Sequence, residues 1–322
     1  MIRNIQALRA FAAINVVLFH IVGTSKAYFQ GVGFFNHFEI WGANGVDIFF
    51  VISGFVMVRT QIRSRRSPLE FLRNRILRIV PIYWALTVFM ILLFFVMPSI
   101  LGLIVITPNW AFSSLFFVSQ IFTSRGPIAH VGWTLEWEMY FYIVFATSLF
   151  FKSWLLQAGF VYLSVVSFSV LTRNWIALEF LLGMSAAYAY GRIKISSNQG
   201  LMVAILGGIF LAVSLMPAVV ALNINRALMW GIPSFFIVLG LVCCVQTNSR
   251  LLNYLGDASY SIYLAQVLTI PAFYMLSGEI FDNWNGDILA VLCLISTVLF
   301  GCVVHSMVEK PVAIRIKKGF VS

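Results

Sequence analysis

Long apolar stretches recur along the whole chain and are separated by short polar segments. A helix that crosses a membrane needs about 20 mostly apolar residues, and ten stretches meet or approach that length. The pattern therefore predicts an all-α fold, a polytopic membrane helical bundle of about ten transmembrane helices. The ten stretches cover residues 5–24, 43–60, 79–97, 134–151, 154–172, 175–190, 200–220, 228–246, 258–277 and 287–308.

Residues 98–133 are also apolar, but three prolines interrupt them, at Pro98, Pro108 and Pro127. Proline removes a backbone donor and breaks a continuous helix. We therefore interpret this segment as an outer loop that dips into the membrane.

The composition supports a membrane protein. Of 322 residues, 61% are hydrophobic and 10% are charged, with a mean hydropathy of +0.95, whereas soluble proteins carry about 25% charged residues. We expect a single transmembrane domain over residues 1–322, without a separate soluble module. The four cysteines lie in apolar segments without metal-ligand spacing, so we expect buried thiols, no disulfide and no metal site.

Basic residues are distributed unevenly between the two sides of the predicted bundle. With the N-terminus in the cytoplasm, sixteen Lys and Arg fall in inner segments, and four fall in outer loops: Lys26, Arg125, Arg173 and Arg226. Inner loops of membrane proteins carry an excess of positive charge. The distribution therefore predicts that both termini are cytoplasmic, and it explains the net charge of +10 without a nucleic-acid partner.

The first stretch contains two residues that hydrocarbon disfavours, Arg9 and His20. A charged side chain at the bilayer centre costs ~2.5–3.5 kcal/mol on insertion scales, so such residues tend to face a protein interior. Eleven positions are about three helical turns, which places both side chains on nearly the same helix face, about 16 Å apart along the axis. An imidazole titrates near neutral pH, so His20 is a candidate general base.

Two acids lie in or beside later apolar stretches. Asp47 begins the second stretch, where it is either a helix-start residue favoured by the helix dipole or a carboxylate that orients His20. Glu179 lies within the sixth stretch and is a functional candidate by its depth alone, because intramembrane acids are seldom incidental.

The segment from Arg59 to Arg78 holds seven arginines. One interpretation is a topology determinant that contacts anionic lipid headgroups. Arg75 and Arg78 differ from the others because a spacing of three places them on one helix face, just before Pro81. Two adjacent guanidiniums suit a polyphosphate, because each binds phosphate oxygens with two N–H groups. Arg73 either assists them or is solvated.

The fourth stretch opens with two acids, Glu136 and Glu138, among tryptophans. Positions two apart on a helix point about 200° from each other, so we do not expect the two carboxylates to act as a pair. We expect one to face the interior near an acceptor site and the other to cap a helix or face water.

Four groups of residues, the landmarks given below, occur along the chain in the order that is typical of one protein family. The chain resembles the acyltransferase 3 family of integral membrane acyltransferases and, within it, bacterial exopolysaccharide O-acetyltransferases. The landmarks are Arg9 with His20; Gly45-Val46-Asp47 through Ser53-Gly54-Phe55; Arg75-Ile76-Leu77-Arg78; and Ser259-Tyr260-Ser261-Ile262-Tyr263-Leu264 followed by Glu309-Lys310-Pro311.

The resemblance implies a multi-pass protein of the bacterial inner membrane, in contact with membrane lipids. It implies acetyl-coenzyme A, or another acyl-coenzyme A, as a cytoplasmic donor, and a glycan or lipid-linked oligosaccharide as acceptor. It makes His20 the essential histidine and Arg9, Arg75 and Arg78 the essential arginines. The chain departs from the family pattern at Gln266, where many members carry histidine, and at the doubled acid Glu136 and Glu138.

The resemblance and the residues together predict an O-acyltransferase. His20 would deprotonate a sugar hydroxyl that attacks the acyl carbonyl directly, or it would carry the acyl group itself. Coenzyme A would place its phosphates on Arg75 and Arg78 and pass Arg9, while Asp47, Glu136 and Glu138 would orient His20 or bind the acceptor. The alternatives are a proton-coupled transporter or flippase of a lipid-linked glycan and a scaffold that binds anionic lipid.

Overall fold

The computed structural model describes residues 2–28, 32–97, 105–123, 125–214, 216–280 and 284–318. These residues form helices and connecting segments without a strand, which confirms the all-α prediction. Each of the ten apolar stretches contains a helix. The longer helices, α1 to α10, are Arg3–Tyr28, Asn44–Arg63, Pro68–Val96, Trp133–Ser148, Trp154–Thr172, Leu178–Tyr190, Ser197–Val213, Ile232–Cys243, Arg250–Ile280 and Gly286–Val304.

Shorter helical segments join these elements. Short α-helices occupy Phe38–Trp41, Pro108–Leu115, Ser119–Phe122 and Pro217–Val220, and 3₁₀ turns occupy Phe34–His37 and His130–Gly132. Two π-helical turns, Ala227–Gly231 and His305–Glu309, lead into α8 and into a last helix, α11 (Lys310–Lys318).

Within the described residues, six helical segments are long and apolar enough to cross a membrane. The chain is therefore a multi-pass membrane protein on length and composition, while the count of ten spans and the cytoplasmic termini stay predictions. The six segments are Arg3–Tyr28, Asn44–Arg63, Pro68–Val96, Trp154–Thr172, Arg250–Ser277 and Gly286–Arg315.

The third span differs from its predicted start. Helix α3 begins at Pro68 and continues through Pro81 to Val96, so the arginines before Pro81 are helical. Ser67 caps this helix, because its hydroxyl accepts a hydrogen bond from the backbone N–H of Glu70 at 3.2 Å. A serine cap followed by proline at the first helical position is a strong signal for the start of a helix. The apolar pattern does not include this signal and therefore placed the start of the span at residue 79.

The chain divides into two compact units. Unit one comprises Met1–Arg66 and Ala158–Cys302, and unit two comprises Ser67–Gln157 and Val303–Ser322.

Unit one is held by close helix crossings at glycines. A Cβ added at Gly45 would overlap the carbonyl oxygen of Ala12 on α1, and one added at Gly183 of α6 would overlap that of Val51 on α2. Helices in membranes gain most of their association energy from such close contact. Helix α1 packs against both α2 and α9, so it lies inside this unit.

Unit two pairs α3 with α4 and holds the described part of the interrupted segment against them. The hydroxyl of Tyr83 on α3 donates to the carbonyl of Ser114 at 3.0 Å, and the indole N–H of Trp84 donates to the carbonyl of Leu115 at 2.7 Å. Residues 98–104 and Ser124 of the predicted loop lie outside the described residues.

Candidate functional site

Helix α1 carries the predicted cation and imidazole without a break between them. Arg9 is buried, and one of its terminal nitrogens, Nη1, donates to the side-chain oxygen of Gln6 at 3.1 Å. Gln6 in turn donates to the carboxylate of Asp257 on α9. His20 is only half-buried, with its ring at the edge of Phe19 at a centroid distance of 4.9 Å. The two predicted residues therefore share one helix, the arginine within the unit and the imidazole partly open.

Asp47 lies in the first turn of α2, as expected, and its carboxylate pairs with Arg226. The two groups form parallel hydrogen bonds, from Nε to Oδ1 at 2.9 Å and from Nη2 to Oδ2 at 2.8 Å. Such bidentate pairs fix orientation as well as energy. Asp47 thus has a partner 179 positions away in the sequence, and the expectation that it orients His20 stays a prediction.

Glu179 of α6 completes this cluster. Its side chain is fully buried and interacts electrostatically with both Asp47 and Arg226. Space around it is tight, since a Cβ added at Gly231 would lie 2.9 Å from the Glu179 side chain. The sequence singled out Glu179 by depth but named no partner for it, and the structure supplies two.

Arg75 and Arg78 lie on α3 in unit two, one helical turn apart. Arg75 is buried, with its guanidinium carbon 5.6 Å from the ring of Phe71 and 6.0 Å from that of Tyr142. Arg78 is half-buried and also acts electrostatically on Tyr142. Arg73 is exposed, so of the three predicted donor-binding arginines in this helix, two converge and one projects outward.

The two acids of α4 have separate surroundings, as their spacing predicts. Glu138 accepts a hydrogen bond from the hydroxyl of Tyr142, one turn further along the helix, and so belongs with Arg75 and Arg78. Glu136 accepts the backbone N–H groups of Ser119 and Gln120, both at 3.0 Å. Glu136 thus ties the preceding segment to α4.

Gln266, the departure noted in the sequence, lies within α9. Gln266 is buried in α9 and donates its amide to the carbonyl of Tyr263 at 2.8 Å. An amide does not titrate, so this side chain fixes local geometry and transfers no proton. Among the described residues, His, Cys, Asp and Glu form no group that could hold a metal ion.

Two functional candidates escaped the sequence analysis. Arg226 was counted only as one of four outer basic residues, and Tyr142 was one aromatic residue among many. An arginine immediately before an apolar stretch is a weak signal for an intramembrane partner, and Tyr142, four positions after Glu138, is a helical neighbour of that acid.

Comparison with known proteins gives two relatives and one family. A family model described as an acyltransferase domain matches residues 2–307. The exopolysaccharide production protein ExoZ of Rhizobium meliloti is 34% identical over 307 residues, which cover 87% of this chain and 92% of that protein. The peptidoglycan O-acetyltransferase OatA of Listeria monocytogenes is 27% identical over 206 residues, 58% of this chain and 30% of that protein. No solved structure matches the chain.

Proposed function

The chain belongs to the acyltransferase 3 family, and from this membership we propose that it is a membrane O-acyltransferase that modifies a glycan. The donor is acetyl-coenzyme A or another short acyl-coenzyme A on the cytoplasmic side. The acceptor is a hydroxyl of an exopolysaccharide or other cell-surface glycan. The names of the two relatives, one for exopolysaccharide production and one for peptidoglycan O-acetylation, support this acceptor class.

The observation that carries the proposal is the half-buried imidazole of His20 on the helix that also holds the buried Arg9. A general base must reach the proton that it removes. A partly open imidazole meets this condition, whereas a fully packed one does not. The remainder of α1 is largely buried, so the ring has a fixed helix behind it.

The reaction balances with His20 as the base. Its imidazole takes the proton of the sugar hydroxyl, and the oxygen attacks the thioester carbonyl to form a tetrahedral intermediate. The carbon–sulfur bond then breaks, and the imidazolium returns its proton to the departing thiolate. Transfer through an acyl-histidine uses the same residue with two successive displacements.

Arg75 and Arg78 are the proposed phosphate ligands of the donor. Two guanidiniums one turn apart present paired N–H groups to phosphate oxygens, and the aromatic rings of Phe71 and Tyr142 hold Arg75 in place. The proposal also assigns Arg9 to the donor on the family resemblance. Arg73 is exposed and is the donor-binding assignment with the least structural support.

The test is transfer of a labelled acetyl group from acetyl-coenzyme A to de-O-acetylated exopolysaccharide by the purified, detergent-solubilised protein. We expect turnover by the wild type and by His37→Ala, a control at an exposed histidine, and a loss of at least a hundredfold in His20→Ala. Movement of a lipid-linked glycan across vesicles without acetylation would instead identify a transporter. Retention of most activity by a folded His20→Ala variant would remove His20 from the mechanism.

A further inference from the structure

The guanidinium of Arg226 is fixed along one edge and open along the other. Asp47 holds Nε and Nη2, and Nη2 also donates to the carbonyl of Ala43 at 3.0 Å. The guanidinium carbon lies 4.9 Å from the centre of the Trp230 ring, and the indole of Trp230 donates to the hydroxyl of Ser214 at 3.0 Å. The remaining nitrogen, Nη1, has no acceptor within the described part of the chain.

The exposure of the two partners differs sharply. The side chain of Asp47 is 0% exposed, whereas that of Arg226 is 34% exposed. The buried carboxylate therefore acts as an anchor, and the accessible portion belongs to the arginine.

The charge of the cluster indicates which ligand suits this edge. Arg226 carries the opposite charge to Asp47, and the fully buried side chain of Glu179 interacts electrostatically with both groups. A buried charge is costly unless it is paired, and here Arg226 already has two acids as neighbours. A guanidinium that already has acidic neighbours gains less from a further anion than an isolated cation does. Its N–H edge therefore suits an uncharged oxygen, in contrast to the paired cations Arg75 and Arg78.

We propose that Arg226 binds the acceptor, with Nη1 donating to a hydroxyl or ring oxygen of a sugar. Asp47 is then a positioning residue that acts through Arg226, and Glu179 lies beside the pair as a second acid. The inference rests on the proposed function, which supplies the class of acceptor. The inference identifies Arg226 as the residue that recognises the sugar. It also explains why this residue contacts an uncharged part of the sugar.

Two variants test the role of Arg226 while protecting the fold. Arg226→Lys keeps the charge beside Asp47 but loses the planar fork. The double variant Asp47→Asn with Arg226→Gln replaces the ion pair by a neutral amide pair of similar size. Arg173→Lys, at another exposed position predicted to lie outside, is the matched control.

The measurements are the KM for de-O-acetylated exopolysaccharide oligosaccharides, the kcat and the Kd for coenzyme A. Loss of one charge-assisted hydrogen bond is expected to raise the acceptor KM about tenfold in both Arg226 variants. The kcat, the coenzyme A Kd and the control should stay at wild-type values. An unchanged acceptor KM, or a fall in kcat with weaker coenzyme A binding, would overturn the assignment.

Different results would contradict the proposed function and the proposed role of Arg226. If the wild type transfers no acetyl group, direct titration of the same oligosaccharides into wild type and Arg226→Lys still decides the inference. Weaker sugar binding by the variant would support it without any enzyme activity. Equal binding, or no binding by either protein, would reject it.

Discussion

The hydroxyl of Tyr142 donates a hydrogen bond to Glu138, one turn earlier on α4. The same tyrosine ring lies 6.0 Å from the guanidinium carbon of Arg75 on the neighbouring helix. Tyr142 therefore connects Glu138 to the arginines that we assign to the donor phosphates. Its own burial is complete enough to fix the direction of the hydroxyl.

Tyr142→Phe is expected to weaken coenzyme A binding about fivefold, because removal of the hydroxyl frees Glu138 to compete with phosphate for the arginines. A typical intramolecular hydrogen bond contributes about 1 kcal/mol net, which corresponds to this ratio. The measurement is calorimetric titration of coenzyme A into purified protein. Tyr140→Phe, at a half-buried position of the same helix, should bind like the wild type. Equal affinities in all three proteins would show that Tyr142 only fills space.

The arginine pair makes a separate prediction about geometry. Arg78→Lys keeps the charge but loses the two-pronged donor, so we expect a ten- to hundredfold weaker Kd for coenzyme A, about 1.5–3 kcal/mol. Arg75→Ala combined with Arg78→Ala should bind weakest. Arg65→Ala, at an exposed position, serves as control and should change affinity little. Similar small losses at all three positions would indicate a diffuse basic patch.

We expect Glu136 to contribute to the stability of the fold and not to the binding of coenzyme A. Its two oxygens each accept a backbone N–H, and Glu136→Gln would turn an amide donor toward one of them. We expect the free energy of unfolding to fall by about 1–3 kcal/mol, seen as a lower melting temperature in detergent. Coenzyme A affinity should be retained. A Glu136→Gln variant with wild-type stability and no activity would instead place this acid in the chemistry.

Gly183 provides a test of helix contact in unit one. A methyl group at this position would overlap the carbonyl oxygen of Val51, whereas Gly159 of α5 has open space around its Cα. Gly183→Ala should therefore lower the melting temperature markedly, by forcing α2 and α6 apart. Gly159→Ala should leave it unchanged or raise it, since alanine favours helix by up to about 1 kcal/mol. The reverse order would contradict the described packing.

The predicted topology can be checked by labelling from one side of intact cells. In a background without the four native cysteines, Ser64→Cys should react only after permeabilisation, and Arg125→Cys should react with a membrane-impermeant maleimide directly. The expectation follows from the excess of Lys and Arg in the segments assigned to the inside. Labelling of both positions from the same side would overturn the assignment of separate donor and acceptor sides.

The sequence predicted local features better than partners. Each of the ten stretches located by hydropathy contains a helix, because lipid and protein interiors both favour apolar side chains. Helical spacing correctly predicted that Glu136 and Glu138 have different surroundings. The pairing of Asp47 with Arg226 spans 179 positions, and no periodicity encodes a contact of that kind. The role of Glu136 was equally hidden, since its partners are backbone groups whose position depends on the fold of a proline-interrupted segment.

A π-helical turn, Ala227–Gly231, directly follows Arg226. The direction in which the Arg226 side chain points therefore depends on the number of residues in this turn. Each residue of an α-helix advances by about 100°, and a π turn accommodates one residue more than an α turn does. Removing a single residue from this turn would restore α-helical geometry and rotate Arg226 by about 100° relative to α8. In evolution, a one-residue insertion or deletion here would redirect the proposed sugar contact in one step, without substitution of any side chain.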